Sequence, residues 1–279
     1  MMISLQPSIE KLMVMSAEEL TSNDNVHILN TFLESLNAGL IRAAIPDEHG
    51  NWTVNLWVKQ GILLLFKAGK LIDMSLNGFP FFDKDTIPLK NVSLEDNIRL
   101  VPGGSSIRTG AYLAPGVICM PPMYINIGAY IDSGTMIDSH ALVGTCAQIG
   151  KNVHVSAAAQ IGGVLEPAGA RPVIIEDNVM IGGNCGVYEG VMIKKGAVLG
   201  SGVVLNASTH VYDLVKGEII KPMFGEPLCI PESAVIVPGA RAVSTAFGSE
   251  YGLSISTPLI VKYRDDKTDA KTALEEALR

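Results

Sequence analysis

The chain has 279 residues, enough for one or two domains, and its 48% hydrophobic and 18% charged content excludes a disordered polymer and suits much buried surface. A formal net charge of −7 argues against a nucleic-acid partner, because phosphate binding rests on clustered Lys and Arg. The longest apolar run, Ile62 to Phe66, is too short to span a bilayer, and Met1–Gln6 lacks the basic start and apolar stretch of a secretory signal, so the expected compartment is the cytoplasm with no membrane partner.

Residues 1–100 read as a small helical or mixed N-terminal domain. Ser8–Met15 and Asp24–Leu36 carry apolar residues at helical spacing, the second opening at a cap around Asn23–Asp24. Trp52, Val54, Leu56 and Val58 alternate as a strand does, but the run on into Ile62–Phe66 fits a buried helix equally. Phe79-Pro80-Phe81-Phe82 follows a glycine and reads as a loop packed by aromatics. A linker near Val101-Pro102-Gly103-Gly104 joins this domain to the next.

Residues 101–245 are different in kind. Positions 107, 113, 119, 125, 131, 137, 143, 149, 155 and 161 read Ile, Leu, Cys, Ile, Ile, Ile, Val, Ile, Val, Ile. The phase then jumps by fourteen and resumes at 175, 181, 187, 193, 199, 205 and 211 with Ile, Ile, Val, Ile, Leu, Leu, Val. Three residues after the anchors stand Gly110, Gly116, Gly128, Gly134, Gly190, Gly196 and Gly202, or Asn152, Asn178 and Asn184, residues that tolerate positive φ and let each hexad bend after a short strand. A six-residue period of this kind predicts a mainly β fold, a parallel β-helix with three hexads to a triangular coil. Its aliphatic anchors and small partners resemble the left-handed version. Eight extra residues leave the coil as an extruded loop at about 162–174, around Glu166-Pro167-Ala168-Gly169-Ala170-Arg171-Pro172, and such loops commonly carry function. A second break spans Asp213 to Cys229, after which Ile230 and Ile236 restore two hexads. Residues 246–279 form a C-terminal segment with a strand over Ser254–Tyr263 and a short helix over Thr268–Leu278.

A triangular prism has no cleft of its own, so a site must come from outward-facing turn residues, enclosed when prisms pack side by side; a trimer about a threefold axis is the simple closed solution. Two outward carboxylates stand out, Asp138 directly after an anchor and Glu189 two after one. With the eight-residue excursion removed, their hexads lie seven apart, which is two coils plus one face. They therefore point from different faces and can share a pocket only across a subunit boundary. His140 is a rival base, since it occupies a turn position usually held by Gly or Asn. His140, His154 and His210 are spaced 14 and 56 apart, which is not the neighbouring-strand pattern of a zinc site, so no metal is expected. Cys119, Cys146, Cys185 and Cys229 lie far apart without ligand spacing, and three of them occupy repeat positions that suit a small buried residue.

Several strings identify a family resemblance. Trp52-Thr53-Val54-Asn55-Leu56-Trp57-Val58-Lys59, Phe82-Asp83-Lys84, Arg99-Leu100-Val101-Pro102, Gly134-Thr135-Met136-Ile137-Asp138, Val143-Gly144-Thr145-Cys146-Ala147-Gln148-Ile149-Gly150-Lys151-Asn152-Val153-His154 and Gly162-Gly163-Val164-Leu165-Glu166-Pro167 resemble the 2,3,4,5-tetrahydropyridine-2,6-dicarboxylate (tetrahydrodipicolinate) N-succinyltransferases of the hexapeptide-repeat acyltransferase superfamily. The resemblance implies a homotrimer with active sites at subunit interfaces. It implies transfer of succinyl from succinyl-CoA, a co-substrate rather than a tightly bound cofactor, to the amine of the hydrated, ring-opened substrate in lysine and meso-diaminopimelate biosynthesis. By the same resemblance Asp138 and Glu189 match the catalytic carboxylates, and Arg99, with Asp138, the substrate-binding set. The chain departs from the family pattern where Ser139-His140 replaces Thr-Trp and where Gly183-Asn184-Cys185-Gly186 replaces Ala-Arg-Ser-Glu, so one arginine contact to a substrate carboxylate has no counterpart at Asn184. The alternative reading is an N-acetyltransferase on the same or a related amino-dicarboxylate. A catalytically silent assembly scaffold is the reading from another class, and the paired acids with Arg99 speak against it.

Overall fold

The hexads close into a three-sided coil. In the computed structural model, which describes residues 5–222 and 226–265, each hexad from Ser106–Ile107 to Val204–Leu205 gives a two-residue strand whose second residue is the aliphatic anchor. Strands three hexads apart pair in parallel, as Met136 with His154 and Ile137 with Val155. The first face climbs from Arg99–Leu100 through Ile118–Cys119, Met136–Ile137, His154–Val155, Met180–Ile181 and Val198–Leu199 to Ala234–Ala242. The second runs from Ser106–Ile107 to Val204–Leu205 and the third from Tyr112–Leu113 to Cys229–Ile230.

Period-six spacing puts each anchor inside the prism, where Ile125, Ile131, Ile137, Val143, Ile149, Val155 and Ile161 are fully buried. Each such side chain contributes about 1.5–3 kcal/mol relative to exposure. The corners need left-handed backbone. Gly134 takes φ 72°, and a Cβ there would lie 2.3 Å from Asn152 Oδ1 of the next coil. Asn152, His140, Cys146 and Ala158 take the same conformation at equivalent corners, with φ between 53° and 65°.

The N-terminal residues form α1 (Leu5–Leu12), α2 (Asn23–Asn37) and α3 (Leu56–Ala68), packed around Phe32, Ile62 and Leu65. The Trp52–Val58 run, ambiguous in the sequence, divides: Trp52–Val54 is a strand paired with Ala44–Pro46, and Leu56 opens α3. Ile127 and Cys146 of the coil join this helical core, so the small domain is seated on the prism. The Arg42 guanidinium lies 3.6 Å from the Tyr130 ring centroid and donates to Gln148 Oε1 at 3.0 Å, while Trp52 Nε1 donates to Glu176 Oε1 at 3.1 Å. Those three coil partners belong to the third face or its edge, which the N-terminal domain covers. On the first face Ile118, Met136 and Met180 remain partly exposed.

Phe79, Phe81 and Phe82 do not pack a loop. Leu71–Asp73 and Phe82–Lys84 pair as a hairpin whose aromatic tip is exposed, Phe79 at 68%. Beyond the coil Ala234–Ala242 runs antiparallel to Ser254–Tyr263, the predicted C-terminal strand, after a short helix at Ala246–Glu250 capped by the Thr245 hydroxyl. The predicted helix over Thr268–Leu278 lies outside the described residues. Among the described residues no helix is long and apolar enough to cross a membrane.

Candidate active site

Asp138 follows the buried anchor Ile137 and therefore turns outward at the corner between the first and second faces. Its Oδ1 accepts from the Ser139 backbone N–H at 2.7 Å, which fixes the carboxylate plane, and its side chain is 30% exposed. Oδ2 faces His154 Nε2 of the next rung at 3.7 Å. His140 makes the corner itself, with φ 62° and its backbone N–H on Pro122 O, and its ring is exposed. Its fitness for positive φ, which a polar side chain eases, accounts for its place in the repeat.

Arg99 stands on the lowest rung of the same face, in register with Ile118 and Met136. At the usual strand spacing its backbone is about 10 Å below that of Met136. Arg99 is exposed and Asp138 half-buried.

Glu189 sits two rungs higher and one face on, after Gly186–Val187. It holds the left-handed conformation (φ 53°), as does the adjoining Gly190 (φ 76°), an arrangement that turns its carboxylate out of the coil. A non-glycine residue there is strained by about 1–3 kcal/mol. Glu189 Oε2 accepts from Ala207 N–H at 3.0 Å. It opens on a cleft of about 930 Å³ walled by Gly162, Gly163, Glu166, Arg171, Tyr188 and Val54 of the N-terminal domain. Asp138 is not among the residues lining that cleft. Within one chain, then, the two predicted acids are apart, on the two faces that the hexad count assigns them.

The extruded loop forms one wall of the cleft, and its anchor is a residue that sequence reasoning did not single out. Lys59 of α3 is fully buried and donates to Ala170 O at 2.7 Å and to Pro167 O at 3.4 Å. Desolvation holds its pKa below the ordinary lysine value, against a smaller opposing effect of Cys146. The sequence signal was a lysine in the middle of the apolar face of a helix. His154 was likewise legible: eighteen residues after Met136, one full coil, it must stand beside the rung that carries Asp138.

A second groove, about 440 Å³, lies at the upper end of the coil between Gly202, Asn206, Ser208, His210 and Arg241. The four cysteines are free thiols. Burial pushes Cys119 and Cys146 up to about 12 and Cys185 to about 11, and it raises Cys229 as well, so none is primed as a nucleophile. Among the described residues no group of three or more His, Cys, Asp or Glu could hold a metal ion.

Comparison with known proteins gives consistent matches. The family model for the tetrahydrodipicolinate N-succinyltransferase N-terminal region matches residues 4–68, and that for the hexapeptide repeat of succinyl-transferase matches residues 172–207, in keeping with a left-handed coil. A 2,3,4,5-tetrahydropyridine-2,6-dicarboxylate N-succinyltransferase of Nitrobacter hamburgensis is 44% identical over 258 residues, covering 88% of this chain and 87% of its own length. Proteins of the same name from Legionella pneumophila and Polynucleobacter asymbioticus are 44% and 43% identical, covering 92% and 90% of this chain and 90% and 88% of their own. A Campylobacter jejuni crystal structure aligns over 95% of this chain and 65% of that one at 15% identity with a TM-score of 0.44, too loose a likeness to carry argument.

Proposed function

The chain belongs to the tetrahydrodipicolinate N-succinyltransferase family, and on that premise we propose that it moves succinyl from succinyl-CoA to the amine of the ring-opened amino-oxo-dicarboxylate. The observation that carries this reading is the 44% identity extending over 88% of the chain, N-terminal domain included.

The site geometry supports specific roles. Arg99 offers a planar fork to a substrate carboxylate. Asp138, one oxygen fixed by the Ser139 N–H, orients the amine and accepts its proton as the nitrogen attacks the thioester carbonyl. The carbon–sulfur bond then breaks, and the coenzyme A thiolate takes a proton from solvent. Glu189 acts on the same substrate from the neighbouring copy, since the two acids of one chain look out from different faces. A homotrimer closes this arrangement, and the partly exposed Ile118, Met136 and Met180 are suited to its interface. The upper groove, with Arg241 and His210, suits the phosphates of the donor. The cytoplasm, where acyl-CoA donors are formed and consumed, is the compartment this chemistry implies.

The test is thiol release by the purified protein with tetrahydrodipicolinate, comparing succinyl-CoA with acetyl-CoA. Turnover with a preference for succinyl-CoA is expected. A preference for acetyl-CoA would refute the donor, and no turnover with either would refute the activity.

A further inference from the structure

His154 Nε2 is closed off from solvent and makes no hydrogen bond, and its nearest anion is Asp138 Oδ2 at 3.7 Å. The side chain as a whole is 42% exposed in the single chain. A buried polar nitrogen without a partner is costly; one aimed at a half-buried carboxylate whose second oxygen is already held needs only a small approach to become a donor to it. Catalytic hydrogen bonds are often long before substrate is bound.

We propose that His154 is a positioning residue for Asp138, donating Nε2–H to Oδ2. Ser139 N–H and His154 Nε2–H together fix both oxygens and orient the Asp138 carboxylate to accept the amine proton. Met180 stands in register with His154 on the rung above. Arg99 lies three rungs below on the same face, and His140 stands at the corner past Asp138.

This inference rests on the acyl-transfer reading, and the experiment separates the two. The kcat and KM for tetrahydrodipicolinate with succinyl-CoA are measured for wild type, His154→Gln and His154→Ala, with assembly size checked for each. Gln places an amide N–H near the position of Nε2–H and cannot be protonated. His154→Gln is expected to keep kcat within a few-fold of wild type. His154→Ala is expected to lower kcat about 100-fold, the low end for acid–base assistance, with little change in KM. Wild-type protein that does not turn over refutes the acyl-transfer reading and this inference with it. Active wild type with His154→Ala equal to it, or with His154→Gln as impaired as His154→Ala, overturns the inference alone. So does failure of both variants to assemble, which would make the ring structural.

Discussion

Replacing Lys59 by Met keeps the buried stem and removes the ammonium that holds the extruded loop. Lys59 is fully buried, and its 2.7 Å bond to Ala170 O is charge-assisted, while the 3.4 Å contact to Pro167 O adds little. A bond of the first kind is worth about 1.5–3 kcal/mol, so its loss should favour loop opening about 10- to 150-fold. The prism has no share in that bond and should not respond. Amide hydrogen exchange is the direct assay: Ala170 N–H, held on Pro167 O at 2.9 Å, should exchange faster by that factor, whereas Gly150 N–H on Ile175 O at 2.8 Å should not change. Because the loop walls the cleft at Glu189, substrate KM should rise with kcat less affected. The pH dependence has a definite sign. Burial lowers the Lys59 pKa, so an opened or unfolded chain binds more protons than the closed one between that lowered value and about 10.5, and the contribution of Lys59 to stability increases as pH rises through this window. Lys59→Met lacks that increase. Unchanged exchange at Ala170 in the variant would refute the anchoring role.

Asp138→Asn should remove nearly all turnover while leaving the assembly size unchanged in light scattering; retained activity takes Asp138 out of the mechanism. Gly144→Ala places a Cβ 2.2 Å from Gly163 N, a backbone atom that cannot swing aside, so the coils must part. A loss of at least about 3 kcal/mol in denaturant unfolding is expected, at the upper end for single substitutions. Ile149→Ala empties a fully buried interior position and should cost about 2–5 kcal/mol in the same measurement. With iodoacetamide at pH 8, Cys119, Cys146 and Cys185 should stay unlabelled by mass spectrometry until the chain is denatured, since burial both hides them and raises their pKa values to about 11 or 12.

The coil was legible because its physics is local. Each hexad needs one buried aliphatic residue and one backbone position that accepts positive φ, and both requirements are written in residue types at fixed spacing. Counting from Ile137 and Val187 therefore assigned Asp138 and Glu189 to faces without any coordinates, and the strand register agrees. The N-terminal domain was less legible. The Trp52–Val58 run satisfies strand and helix periodicity at once, and its division at Asn55 depends on pairing with Ala44–Pro46, a partner that no local rule identifies. Phe79 to Phe82 read as packing residues because they are aromatic, yet packing needs an opposite surface, and among the described residues none covers Phe79.

Sequence by itself thus determined the β-helix, its interruptions, the faces that carry the acids and, through its strings, the family. Tertiary structure alone decided what surrounds those acids: that His154 Nε2 ends beside Asp138 Oδ2, and that a lysine from α3 crosses to the extruded loop. The reason is physical. The coil repeats a short-range rule, whereas each of these contacts joins elements separated in the chain and depends on distances and burial that no periodicity encodes.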